Sequence, residues 1–260
     1  MSSNTGAPLS SILTALNTAD GATRWSFTRN NEGFYTPEIA NGVAYFMARN
    51  GNDTGLSGHL YALDTADGSQ RWMVDVGAQA GANTFALSNG VFLAGGSATG
   101  VTAFRASDGA QLWTNTDPMF TYFIVVGHAV YVKSFNSAAI ALDVTTGKVL
   151  WSTRVLVSAP TTPPTAANGL LYVSGGRDSG QVAAINISTG VIRWIQRMPG
   201  TIGFPVIAGD AIYVYTMQPD NGPSPVVYAF SAADGTLRWQ HQTGKNLEAG
   251  LTVTGQVDID

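Results

Sequence analysis

One phrase of eleven residues recurs six times in this chain. The copies are ALNTADGATRW ending at Trp25, ALDTADGSQRW at Trp72, AFRASDGAQLW at Trp113, ALDVTTGKVLW at Trp151, AINISTGVIRW at Trp194 and AFSAADGTLRW at Trp239. The protein has six tryptophans, so this one slot holds all of them. Successive tryptophans are 47, 41, 38, 43 and 45 residues apart. A period in or near the range of roughly 40 to 50 residues means that the chain repeats one supersecondary unit, of the size of a propeller blade.

Each unit reads as four short strands. In the second, TPEIAN and VAYFMAR meet at Asn41-Gly42, a strong hairpin signal, and GHLYALD and SQRWMVDV meet at TADG. Asn89-Gly90, Gly127-His128, Asn168-Gly169 and Gly209-Asp210 take the place of the first turn in later units, and Gly109, Gly147, Gly190 and Gly235 close the second. No convincing amphipathic helix is present. The expected fold is all-β, a six-bladed β-propeller of four-stranded antiparallel blades forming a single domain over residues 1–260. The 25 residues up to Trp25 and the 21 after Trp239 together have the length of one more unit. LTVTGQVDID at 251–260 aligns with PVIAGDAIYVY, and SSNTGAPLSSILTALNTADG with RNGNDTGLSGHLYALDTADG. These matches predict a closing seam blade with two C-terminal and two N-terminal strands, a device that removes sheet edges.

Composition narrows the functions open to such a chain. Of the 260 residues 45% are apolar, enough for a sizeable core, yet no run approaches the ~18 apolar residues that span a bilayer. The opening MSSNTGAPLSS lacks the charged start and long apolar stretch of a signal peptide, so a soluble, mature or trimmed chain without membrane insertion is expected. The absence of cysteine excludes disulfides, thiolate metal sites and cysteine nucleophiles. Only 12% of residues are charged and the net charge is −4, which gives nucleic acid little to grip. Low charge with abundant Ser, Thr, Ala and Gly suits a secreted, periplasmic or otherwise extracytoplasmic monomer.

The pattern Ala-φ-Asp/Asn-x-x-Thr/Asp-Gly-x-x-x-Trp, preceded by a strand of the N-G-V-x-Y type, resembles the pyrroloquinoline-quinone-like propeller repeat over nearly the whole chain. That family includes quinoprotein dehydrogenases, a scaffolding outer-membrane assembly lipoprotein and sensor domains attached to kinases. The resemblance implies a structural docking role for Trp25, Trp72, Trp113, Trp151, Trp194 and Trp239, each indole lying between neighbouring blades against small residues and backbone. Physics agrees, because six symmetric indoles lie too far apart to meet on one small molecule. The quinoprotein branch as a rule has eight blades, a stacking Trp under the quinone, acidic calcium ligands near the axis and often adjacent cysteines. This chain departs from those points, so no cofactor and no metal are expected.

Catalytic chemistry is sparse. His59, His128 and His241 fall at unrelated positions and read as solvated or hydrogen-bonded surface residues. Asp20, Asp67, Asp108 and Asp234 cap their own turns. Arg24, Arg71, Arg193 and Arg238 precede a docking Trp on the outermost strand, where charge discourages edge-to-edge association. The oxygen-rich loops at 50–55 and 218–222 lack the order of a calcium loop. Among the first strands, which should line the central channel, only Glu38 is ionisable, and a lone carboxylate supplies neither an acid–base pair nor a metal cage.

What remains is binding. The fourth-to-first and second-to-third strand loops should emerge on one face around the channel mouth. From the first set come Glu32, Phe34, Tyr35, Phe120, Tyr122, Phe204 and Lys245, and from the second Arg49, Asp53, Lys133, Phe135, Arg177 and Asp178. Aromatics beside long polar side chains can bind a peptide, a glycan or a partner protein's loop; alternatively Phe34, Tyr35, Phe120, Tyr122 and Phe204 simply begin buried strands. The leading expectation is a non-catalytic binding or scaffolding module of an extracytoplasmic or receptor protein. The alternative is an enzyme, a quinone-dependent oxidoreductase or a hydrolase or lyase, with its site at the channel mouth.

Overall fold

The computed structural model describes residues 10–51, 58–77, 84–96, 100–116, 120–134, 138–155, 163–176, 179–216 and 224–243. These residues form strands and turns, without an α-helix. The chain divides into two compact units, residues 1–117 and 118–260.

In the first unit, β1 (Ser10–Leu16) and β2 (Thr23–Asn30) make a two-stranded sheet. The next sheet contains β3 (Glu32–Phe34), β4 (Glu38–Ala40), β5 (Val43–Asn50), β6 (Gly58–Asp64) and β7 (Gln70–Asp75). Its path is a meander β4-β5-β6-β7, with β3 also pairing the far end of β5. β8 (Thr84–Ser88), β9 (Val91–Gly96), β10 (Gly100–Arg105) and β11 (Gln111–Asn115) form a second meander. The second unit holds three more. They are β12 (Phe120–Val126), β13 (Ala129–Ser134), β14 (Ala138–Asp143) and β15 (Val149–Arg154); β16 (Thr165–Ala167), β17 (Leu170–Gly175), β18 (Ser179–Asn186) and β19 (Ile192–Pro199); and β20 (Val206–Ala208), β21 (Ala211–Tyr215), β22 (Val226–Ser231) and β23 (Leu237–Gln242). Six antiparallel sheets, one per repeat, correspond to the six blades of a β-propeller. Two strands of the first blade are described; residues 251–260, expected to supply the other two, lie outside the described residues.

Local sequence explains the turns. Asn41 and Gly42 have φ of 50° and 73°, and Asn89-Gly90 and Asn168-Gly169 repeat these values within a few degrees. Two successive positive φ angles define the hairpin turn whose twist matches that of its strands. In the later turn, Asp64 Oδ1 accepts the Ala66 amide at 2.8 Å and Asp67 Oδ1 accepts the Ser69 amide at 2.9 Å.

The glycine that ends this turn answers to a second constraint. A Cβ built on Gly68 would stand 2.7 Å from the Trp25 ring; on Gly190, 2.7 Å from Trp151; on Gly235, 2.6 Å from Trp194. Each indole thus lies flat on the turn of the following blade, and its Nε1–H donates to a carbonyl there. Trp25 bonds Thr65 O at 2.9 Å, Trp72 Ala106 O at 3.1 Å, Trp151 Ile187 O at 3.0 Å and Trp194 Ala232 O at 3.0 Å. Trp239 differs: it is 46% exposed, with its ring 5.8 Å from that of Tyr213. Around the indoles the apolar faces of adjacent blades close into separate cores. One joins Phe27, Phe46, Ala48, Tyr61 and Leu63; another joins Tyr45, Met47 and Leu60 to Phe92 and Phe104. In the second unit Tyr131 packs with Leu171 and Val173, and Tyr172 with Ile212 and Val214.

A β-bulge accompanies every tryptophan. In each blade the third-strand alanine faces the Trp, and the next rung skips one residue of the fourth strand. The skipped residues are Arg24, Arg71, Leu112, Leu150, Arg193 and Arg238. A bulge residue leaves the ladder and re-aims its side chain. The four arginines are therefore bulge residues as well as edge charges, and their contacts differ from blade to blade. Arg71 binds Asp64 at 2.7 Å and Arg238 grips both oxygens of Asp210 at 2.6 and 2.7 Å.

Candidate functional site

The fourth-to-first connections and the second-to-third loops lie at one end of each sheet, opposite the Asn-Gly turns, and the expected binding residues belong to that end. Phe34 and Tyr35 are half-buried. Phe34 sits in an aromatic cluster, 4.9 Å from Phe46, and Tyr35 packs on the core between the second and third blades. Both therefore begin packed segments. Tyr122 is half-buried on β12, Phe120 opens the same strand opposite Ser134, and Phe204 is 44% exposed. Arg49, opposite Gly33 and Gly58 on β5, is exposed. Asp53, Phe135, Arg177, Asp178 and Lys245, and most of the two oxygen-rich loops, lie outside the described residues.

Lys133 is not a loop residue. It lies within β13, paired with Ala139, and is 1% exposed. The matching residue of the second blade is the fully buried Met47. The Lys133 ammonium donates to the Ser174 carbonyl of the next blade, and burial pushes its pKa down to about 8. Across the same interface stands Gln181, buried on β18, whose Nε2 finds no hydrogen-bond partner among the described residues. Strand continuity hides this site from the sequence: backbone pairing carries β13 past the lysine, and its aliphatic stem fits the apolar slot.

The second buried polar group occupies the matching level between the first and second blades. Glu32, 6% exposed, starts β3. Its Oε1 lies 2.6 Å from His59 Nδ1, and its Oε2 accepts the Tyr61 hydroxyl at 2.9 Å. Burial, then the Glu32 hydrogen bond, push the Tyr61 phenol up to about 12. Arg29 lies over the Phe27 and Tyr61 rings, 4.1 and 5.5 Å from their centroids, and donates to Gln70 at 2.7 Å. An ionised carboxylate only accepts, so the His59 proton facing Glu32 sits on Nδ1. His59 is thus a half-buried, carboxylate-anchored residue rather than a solvated one. It corresponds in the repeat to Gln181, each three residues before the alanine that faces the Trp.

Chemically, Glu32–His59 contains the two parts of an oriented base, but no group of three metal-binding side chains occurs among the described residues. The pair ties the connection between two blades to β6. Glu38, on the inner strand β4, is also tied: its Oε2 accepts the Leu87 amide of the next blade at 2.8 Å. Burial raises its pKa, and that hydrogen bond partly offsets the rise.

Clefts open at the other end of the sheets. One of about 250 Å³ lies between the second and third blades, bounded by Asn41, Tyr45 and Asn89. Its counterpart between the fifth and sixth blades, bounded by Asn168, Tyr172, Arg193 and Asp210, measures about 380 Å³. No feature of the sequence singles out this end until the repeats are compared blade by blade.

Comparison with known proteins agrees with the sheet pattern. Over 96% of its length the chain is 25% identical to the outer membrane protein assembly factor BamB of Moranella endobia, of which it spans 53%. The chain therefore spans about half the length of this relative. The crystal structure of BamB from Moraxella catarrhalis superposes with a TM-score of 0.62 at 21% identity, covering 88% of this chain and 67% of that one. The quinohemoprotein alcohol dehydrogenase of Comamonas testosteroni superposes with a TM-score of 0.62 at 14% identity, covering 90% of this chain and 57% of that one, a likeness of fold alone. Residues 10–176 and 140–258 match the family described as outer membrane protein assembly factor BamB. With its pyrroloquinoline-quinone-like repeats and Trp-docked blades, the chain belongs to that family.

Proposed function

We propose that this chain is a non-catalytic, protein-binding propeller that serves as a scaffold in an extracytoplasmic assembly. The observation that carries the reading is the BamB likeness along 96% of the chain. Side-chain chemistry supports it: Glu32, His59, Tyr61 and Glu38 are engaged in holding blades together. Arg49 and Phe204 are exposed, each at the end of its own sheet where loops collect, and arginine and aromatic residues are the types enriched in protein interfaces.

The test is a titration of the purified chain against the other components of the outer-membrane protein assembly machinery of its source organism. Saturable binding, weakened by about fivefold or more in Arg49→Ala or Phe204→Ala with unchanged melting temperature, is expected. Absence of binding, or quinone-dependent dye reduction by the chain loaded with pyrroloquinoline quinone and calcium, would contradict the reading.

A further inference from the structure

The four bulge arginines are alike in position but unlike in partners. Arg71 is held by Asp64 at the end of its own third strand, and Arg238 by both oxygens of Asp210. Arg24 reaches toward the Ala66 carbonyl at 3.5 Å. Arg193, exposed on β19, makes no hydrogen bond or ion pair with a described residue. Two positions of the repeat can hold a bulge arginine, and the fifth blade has an acidic residue at neither: Gly169 stands where the sixth blade has Asp210. Where the second blade has Asp64 (ALDTADG), the fifth has Asn186 (AINISTG).

Asn186 cannot take over the role of the aspartate. Its Oδ1 is occupied by the turn, accepting the Ser188 amide at 3.1 Å and the Thr189 amide and hydroxyl at 3.0 Å. That leaves its Nδ2 group, a donor, without a partner among the described residues. Asp210 lies on the far wall of the same cleft, but both its oxygens are held by Arg238. The cleft of about 380 Å³, lined also by Asn168 and Tyr172, therefore offers the Arg193 guanidinium and the Asn186 Nδ2 group as donors, while its one carboxylate is already held by Arg238. The matching cleft between the second and third blades has no such surplus, because Arg71 is paired internally.

We propose that the Arg193 cleft is a carboxylate-binding site, and that its occupant is an acidic side chain of an extended segment of a partner protein. A guanidinium offers a carboxylate two parallel hydrogen bonds, and the Asn186 amide adds a third donor. The volume lies within the range of ligand pockets, and the open mouth between two turns suits an extended chain. The protein source of the carboxylate rests on the protein-binding reading above; the site itself does not.

The experiment follows the Arg193 Nε–H and Asn186 Nδ2–H₂ signals by ¹⁵N NMR during titration with the peptide Ac-Gly-Glu-Asp-Gly-NH₂, its Gln/Asn isostere and sodium acetate. The acidic peptide should move both signals saturably, in the millimolar range, and the isostere should leave them unmoved. Arg193→Gln should weaken binding about fivefold or more. Asn186→Asp, which gives Arg193 the partner that Arg71 already has, should do the same while the melting temperature stays level or rises. The proposal is overturned if the acidic peptide moves neither signal, if both variants bind it like the parent, or if acetate binds and the peptide does not. Each of those outcomes leaves the scaffold reading to its own titration, and loss of assembly-partner binding with an intact peptide response would leave the carboxylate site standing.

Discussion

Replacing Lys133 by methionine, the residue at the matching place in the second blade, should stabilise the protein at neutral pH and destabilise it in alkali. Burial lowers the pKa of this lysine from 10.5 to about 8, and at about 1.4 kcal/mol per unit the buried ammonium costs about 3 kcal/mol. The sign follows from proton binding. Below pH 8 the amine is protonated whether the chain is folded or not, so the whole penalty is present. Between about pH 8 and 10.5 the unfolded amine keeps its proton while the folded one has lost it, and stability from this group rises with pH. Methionine removes the penalty but also the hydrogen bond to the buried Ser174 carbonyl, at a cost of about 1–2 kcal/mol. Lys133→Met should therefore gain about 1–2 kcal/mol at pH 7, break even at about pH 9.5 and lose about 1–2 kcal/mol by pH 10.5. Urea unfolding of both proteins from pH 6.5 to 10.5 reads this difference. The buried tyrosines, whose raised pKa values destabilise the fold above pH 10, act equally in both proteins and cancel. A difference that does not vary with pH would refute the reasoning, because the ammonium would then not be paying for its burial.

Gly190→Ala should cost several kcal/mol, because the new methyl group meets the Trp151 ring at 2.7 Å and the backbone has φ of 73°, whereas Gly169→Ala, with φ of 72° and open space, should cost about 1 kcal/mol; thermal melts compare the two. Glu32→Gln should lower stability by about 2–3 kcal/mol in urea melts, since an amide offers one acceptor where His59 and Tyr61 present two donors. Deleting residues 251–260 should lower the melting temperature if, as we propose, they complete the first blade by pairing along β1, and an unchanged melting curve would reject that seam.

The architecture was legible because its determinants are local and repeated. The Asn-Gly pairs dictate the hairpins, the spacing of the tryptophans gives the blade length, and a slot filled six times has to be structural. Three features were not legible, each for a physical reason. A bulge inserts one residue beside the Trp without disturbing the apolar pattern, so Arg193 looks like any edge residue until the register is known. Lys133 ends an apolar run and reads as the start of a loop, although pairing with Ala139 keeps it in the strand. The Glu32–His59 contact spans 27 residues and depends on β3 folding back along β5, which no periodicity announces. Comparing ALDTADG with AINISTG would have marked Asn186, but the difference gains meaning only once Arg193 is placed.

The repeated tryptophans join blades instead of holding a ligand, and their indole N–H groups report on this directly. In hydrogen exchange followed by ¹⁵N NMR, the Nε1–H signals of Trp25, Trp72, Trp151 and Trp194 should be strongly protected, because each is bonded to a carbonyl of the following blade at 2.9–3.1 Å. They should also stay in place when pyrroloquinoline quinone and calcium are added. Exchange of these four protons within the dead time, or a saturable shift of any of them by the quinone, would contradict the claim.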